Sequence, residues 1–336
     1  YNVDFQATGF QLKTSSATFN GSGDTFIYVA IRRPNKPPSA ATEVFDTNLV
    51  TTGTPATTFT SGFVTDAIIY PFRTLGAGPR VSSRLTGNPY LDTSSGSGEL
   101  ATTTNWDSMT GLEINSSSGI SLVDYMFRRA PGFFDVVAYT GTGGTNFIAH
   151  NLKVAPELAI TKVRSQATSP WIFDYVPGNL EGILNSNGAF YSGIAWNNGV
   201  TDTEISTTYA GGAINASGQT YITYLFATLA GISKIGTYSG TDNTNVTVDC
   251  GFSSGPRFLM IKRTDSAGSW AVMDSARGIN SGTNSYDPVL YLDLTSAQAA
   301  FADYIDPTSS GFTVKPFATA GGFNNTGGTY LFLAIA

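Results

Sequence analysis

Charge is scarce in this chain. Only 12% of its residues are Asp, Glu, Lys or Arg, about half of the roughly 25% usual in soluble domains. The positive sign is the scarcer one. A net charge of −6 and a pI near 4.7 supply no basic face to displace counterions from nucleic acid, so no nucleic-acid partner is expected. The single cysteine, Cys250, excludes an internal disulfide framework and any Cys-rich zinc site. No apolar run approaches the roughly 20 residues of a bilayer-spanning helix, so no membrane partner is expected either. Long helical periodicity is missing too, the best candidate being one or two turns over 295–304. Tyr1 stands where an initiating Met would be, with no charged-then-apolar leader behind it. That is the pattern expected where further sequence precedes the chain in its gene.

What the chain does have is a repeat. Asn215-Ala-Ser-Gly-Gln-Thr-Tyr221 has counterparts at Asn20-Gly-Ser-Gly-Asp-Thr-Phe26 and Asn324-Asn-Thr-Gly-Gly-Thr-Tyr330, with a weaker one at Ser116-Ser-Ser-Gly-Ile-Ser-Leu122. Their glycines, Gly23, Gly119, Gly218 and Gly327, are 96, 99 and 109 residues apart. A period near 100 residues is that of a domain rather than a solenoid. After each glycine comes an apolar-aromatic run: Phe26–Ile31, Leu122–Phe127, Tyr221–Phe226 and Tyr330–Ile335. A Gly-bearing turn followed by such a run predicts a hairpin with a buried second strand. The rest of the unit repeats as well. Tyr139-Thr-Gly and Tyr238-Ser-Gly each stand 32 residues before a tryptophan, Trp171 and Trp270, and between them run Ala155–Lys162 and Gly255–Lys262. Gly62–Tyr70 is the degenerate version.

The pattern divides the chain into three modules, 35–132, 133–230 and 231–336, the first of them divergent. Residues 1–34 form the closing hairpin of an incomplete module. Basic, proline-bearing stretches at 32–38 and 128–132 mark two boundaries. Short strands between frequent turns predict an all-β fold of tandem antiparallel β-sandwich, jelly-roll-like modules. Trp171 and Trp270, at matching strand positions, are expected to be buried, each anchoring its own module.

The segments Met260–Trp270, His150–Leu152 with Pro156-Glu-Leu158, and Asn215–Tyr221 resemble the repeated β modules of marine bacteriophage tail-fibre-like and virion structural proteins. The resemblance covers 135–336 well, 1–34 fairly and 35–132 poorly. It implies tandem β modules in a virion protein and carries no catalytic residues.

Chemistry is sparse. A Ser-His-Asp triad would have to be built on His150, whose counterpart one module later is Asp249. A turn before an apolar strand explains His150 more simply. Asp174 and Asp274 follow the tryptophans by three and four residues, which in strands points them to opposite faces. A repeated pair of glycosidase carboxylates would need one geometry. Asp242, Asn243 and Asp249 could line a calcium loop, but turn formation accounts for them. The sequons at Asn20, Asn215 and Asn324 read as turn residues rather than glycosylation acceptors. Of four tryptophans, Trp196, in Gly193–Gly199, is the one placed in a loop and free to bind a ligand such as a sugar.

The expectation is a non-enzymatic bacteriophage virion structural protein, a tail-fibre, attachment or decoration component, without cofactor or metal. It would be found on virions or outside cells, with other virion proteins, its own copies and host surface glycans as partners. Alternatives are a carbohydrate-binding adhesin, a self-assembling extracellular filament subunit and, more remotely, a polysaccharide depolymerase.

Overall fold

A computed structural model describes residues 3–6, 9–30, 36–167, 171–193, 195–196, 198–279, 286–300, 302–316 and 322–336. Three antiparallel β sandwiches draw their strands from 45–127, 134–226 and 233–335. Each has an inner sheet of five or six strands. In each, the closing strand (Tyr125–Phe127, Thr220–Phe226 or Thr329–Ile335) lies between the opening strand and the strand at Ala67–Tyr70, Leu158–Val163 or Phe258–Arg263. A smaller outer sheet covers one face of the inner sheet.

The sequence patterns follow from this layering. Leu158–Val163 is buried at every position because one face of the inner sheet meets the outer sheet and the other meets the centre of the molecule. Outer strands such as Asn146–Ala149 and Val246–Asp249 bury only alternate residues, since water lies on their far side. Gly23, Gly119, Gly218 and Gly327 all have φ between +72° and +84°, the left-handed region that glycine enters without steric cost. In the second and third modules the turn is held by a buried asparagine. Thr142 N–H donates to Asn215 Oδ1 at 2.9 Å, and Thr241 N–H to Asn324 Oδ1 at 2.7 Å. Below each asparagine a tyrosine pair stacks across strands, Tyr139 on Tyr221 and Tyr238 on Tyr330, with centroids 5.1 and 5.0 Å apart.

The modules are not strung out in a line. They close into a ring, and three equivalent backbone hydrogen bonds trace it. Glu99 N–H donates to Arg164 O (2.9 Å), Phe190 N–H to Thr264 O (2.8 Å) and Gln298 N–H to Arg73 O (3.0 Å). They join first to second, second to third, and third back to first. Side chains reinforce the seams. Arg164 pairs with Glu99 and Arg73 with Gln298, while Lys162 and Lys262 reach back to Gly96 O and Gly188 O. Inside the ring, Phe45, Phe127, Phe134, Phe226, Phe258 and Leu333 belong to one apolar cluster drawn from all three modules. Tyr125 of the first module also bonds to Asp274 Oδ2 of the third (2.8 Å), where Arg277 completes a fully buried ion pair.

Ring closure corrects three expectations. Trp171 and Trp270 are buried, but each anchors a seam rather than its own module. Trp171 Nε1 donates to Asp92 O at 2.9 Å, and Trp270 Nε1 to Ile183 O and Ser186 O at 3.1 and 3.0 Å, all in the preceding module. The described part of 295–304 is not helical. It runs irregularly along the closing seam, where Gln298 takes its partners from the first module. The N-terminal hairpin differs too. Val3–Gln6 pairs with Gly9–Leu12, but 24–30 forms no strand, and Ile27 is 98% exposed. All three inner sheets already hold their own closing strand, and 24–30 joins no sheet among the described residues. Ile31, the last residue of the expected strand, lies outside the described residues.

Truncating a seam tryptophan tests the ring. Trp270→Ala should cost roughly 3–5 kcal/mol in denaturant titration. Trp270→Phe, which keeps most of the volume and loses the two carbonyl contacts, should cost about 1–2 kcal/mol.

Candidate functional site

Trp196 is not a free loop residue. It is 8% exposed and packs with Val137, Ile148, Ile172, Ile205 and Leu225 in the core of the second module, edge-on to Tyr139. Gly199, at φ +136°, turns the chain so that Gly199–Val200 pairs with the outer strand Glu204–Thr207. The loop therefore folds its indole inward. An apolar ring of this size gains more from burial than from display.

What the indole covers is a pair of acids. Asp174 and Glu181 face each other in register on adjacent strands, both nearly fully buried. Glu181 Oε1 accepts from the Tyr191 hydroxyl at 2.6 Å and Oε2 from Ala195 N–H at 3.1 Å. Asp174 is held well above the usual carboxylate range, first by burial and then by the charge of Glu181 beside it. Burial beside a second carboxylate disfavours the ionised form of Asp174, while Glu181 is held by its two donors. The remaining space, bounded by Asn179, Leu180, Gly193 and Val200, is about 50 Å³. That admits a few waters and no sugar ring.

The repeat shows how particular this pair is. At the same cross-strand position the first module has Ser82 and Tyr90, and the third has Val272 and Leu290 as the adjoining apolar pair, followed by Met273. Only the second module buries acids there. Glu181 and Tyr191 escaped the sequence reading. The signal was the register of Glu181 with Asp174, which needs the strand pairing to be known.

The other nominated residues have structural places. His150 is buried, its Nδ1 accepting from Leu152 N–H and its Nε2 meeting Thr201 O. Asp274 is bound to Arg277. Asp242 sits in a turn at φ +64°, and Asp249 Oδ1 caps Gly251 N–H. No group of three metal-ligating side chains occurs among the described residues. Asn215 and Asn324 are buried turn holders, as read. Gly119, Gly218 and Gly327 lead into their closing strands.

With the geometry in hand, comparison places most of the chain in one family: residues 96–336 match a domain of unknown function, DUF7483. The chain belongs to that family. The match begins within the first module and takes in the second and third whole. No curated protein matches the chain.

The acid pair makes stability depend on pH. Asp174 has a folded pKa above its unfolded value of about 3.9, so the stability it contributes is full below that value and is lost as pH rises through the folded pKa. Burial shifts Asp124, Asp135 and Asp293 the same way, and Asp287 to about 6. His150, lowered by burial, acts oppositely as pH falls, one group against several. The melting temperature should therefore drop between about pH 4.5 and pH 7.5. Asp174→Asn should flatten part of that slope and melt above wild type at the higher pH, as read by scanning calorimetry.

Proposed function

We propose that the chain is a non-enzymatic structural component of a bacteriophage virion, acting in attachment or decoration and assembling with other virion proteins and with its own copies. The observation that carries the reading is ring closure. Three repeated sandwiches spend their repeat on one another, producing a block with a shared core and outward-facing outer sheets. Repetition here adds rigidity rather than length, which favours a tip or decoration over a fibre shaft. The resemblance of Met260–Trp270 and Asn215–Tyr221 to virion β modules supports the virion assignment. The buried acids of the second module support the non-enzymatic half, because a general acid must reach its substrate within hydrogen-bond distance and the space beside Asp174 is only about 50 Å³.

Two measurements test the proposal. Antibodies against the purified chain, applied to intact particles of the phage that encodes it, should decorate the particle surface in negative stain. Particles left bare while their dissociated proteins react would overturn the surface placement. The purified protein should release no reducing ends from host polysaccharide. Catalytic release would remove the non-enzymatic claim.

A further inference from the structure

The three modules are alike enough that their differences can be read as local substitutions in one scaffold. The largest such difference lies in the first module. Where the second stacks Tyr139 on Tyr221 and the third Tyr238 on Tyr330, the first has Val50 opposite Leu122 in the same register. Where the others hold their turn with Asn215 or Asn324, the first has Ser116. Two phenol rings and an amide are replaced by smaller groups. A cleft of about 400 Å³ lies beside this position, bordered by Leu122 and Ser116. That is the size range of small-molecule sites.

Its walls are chemically divided. Pro55, Leu75 and Ile120 give it an apolar side, and Asn115, Ser116 and Ser117 a rim of amide and hydroxyl groups. Two polar groups stand ready within it. The Tyr70 hydroxyl is buried and makes no hydrogen bond of normal geometry, although Ser82 and Arg80 lie beside it. A buried hydroxyl left in that state costs free energy that a ligand oxygen would recover. Arg80 is the second. Its guanidinium lies over the rings of Phe72 and Tyr90, at 5.1 and 4.3 Å, and so is fixed in place before any ligand arrives. It forms no ion pair among the described residues. Asp92, its cross-strand partner in register, spends Oδ1 on the backbone and hydroxyl of Ser94.

We propose that this cleft binds an acidic sugar unit, with Arg80 taking the carboxylate, the Asn115–Ser117 rim and Tyr70 taking ring hydroxyls, and the apolar side meeting the face of the ring. A preplaced guanidinium without an internal counter-ion selects an anion. A mixed wall of hydroxyl, amide and apolar groups selects a polyhydroxylated ring over a bare inorganic ion. The inference does not depend on the virion reading. A scaffold of any location could carry this site, and a virion protein could lack it.

Titration calorimetry of the whole chain against glucuronate, with glucose as the neutral control, tests it. Glucuronate should bind saturably with a Kd on the order of millimolar, and glucose about tenfold or more weakly. Arg80→Gln should weaken glucuronate by about ten- to a hundredfold, the usual worth of a charged hydrogen-bonding partner. Val50→Tyr with Leu122→Tyr rebuilds the stack of the other modules and should abolish binding. Should that double variant fail to fold by circular dichroism, Ser117→Trp at the exposed rim blocks the same space. Absence of saturable glucuronate binding, or unchanged binding in Arg80→Gln, would overturn the site. Equal affinity for glucose would overturn the acidic class.

Discussion

The burial of each closing strand on both its faces is the constraint from which the rest of the architecture follows. Such a strand needs a sheet neighbour on each edge, an outer sheet over one face and something apolar over the other. No single sandwich of about 100 residues supplies that last cover. In this molecule the three inner sheets supply it to one another, with Phe127, Phe226, Phe258 and Leu333 meeting in the middle. A ring is what results when each of three like units must cover its neighbour's exposed apolar face.

The seams then divide the work between apolar contact and direction. The shared core is non-directional and would tolerate sliding. The backbone bonds from Glu99, Phe190 and Gln298 and the indole N–H groups of Trp171 and Trp270 set the register of one module against the next. The buried lysines belong to the same arrangement. Lys162 and Lys262, each with a pKa drawn down to about 8 by burial, sit at matching positions and turn to carbonyls of the preceding module. A buried ammonium is tolerable only where such acceptors converge, so each lysine fixes the seam that holds it.

Within a molecule built by repetition, individuality lies where the repeat is broken. The second module breaks it with Asp174 and Glu181, two acids where its neighbours bury neutral side chains. The first breaks it with Val50 and Leu122 in place of a tyrosine stack. The N-terminal segment breaks it by carrying a turn, Gly23, and an apolar run that joins no sheet among the described residues. Each departure sets one part of the molecule apart from its counterparts, and each is therefore a better guide to specificity than the repeated residues.

Much of the sandwich was legible in the linear sequence, because strand periodicity, left-handed glycines and apolar runs are local properties. Gly119, Gly218 and Gly327 could be placed from a few neighbouring residues, and burial of Trp171 and Trp270 from their match in strand position. What those tryptophans touch was not legible. Their partners, Asp92 and Ile183, are 79 and 87 residues earlier, and no local pattern encodes a contact at that distance. The same holds for Trp196. Its sequence surroundings are those of a loop, and only the return of Gly199–Val200 onto the outer sheet turns it inward. Asp174 and Glu181 became a pair, and the Val50–Leu122 position a cleft, through strand register and the packing of one sheet on another. Sequence by itself determined most of the strands and turns of the three modules, since those depend on near neighbours. Tertiary structure decided the ring, the seams, the acid pair and the cleft, since those depend on which distant surfaces had apolar area left to cover.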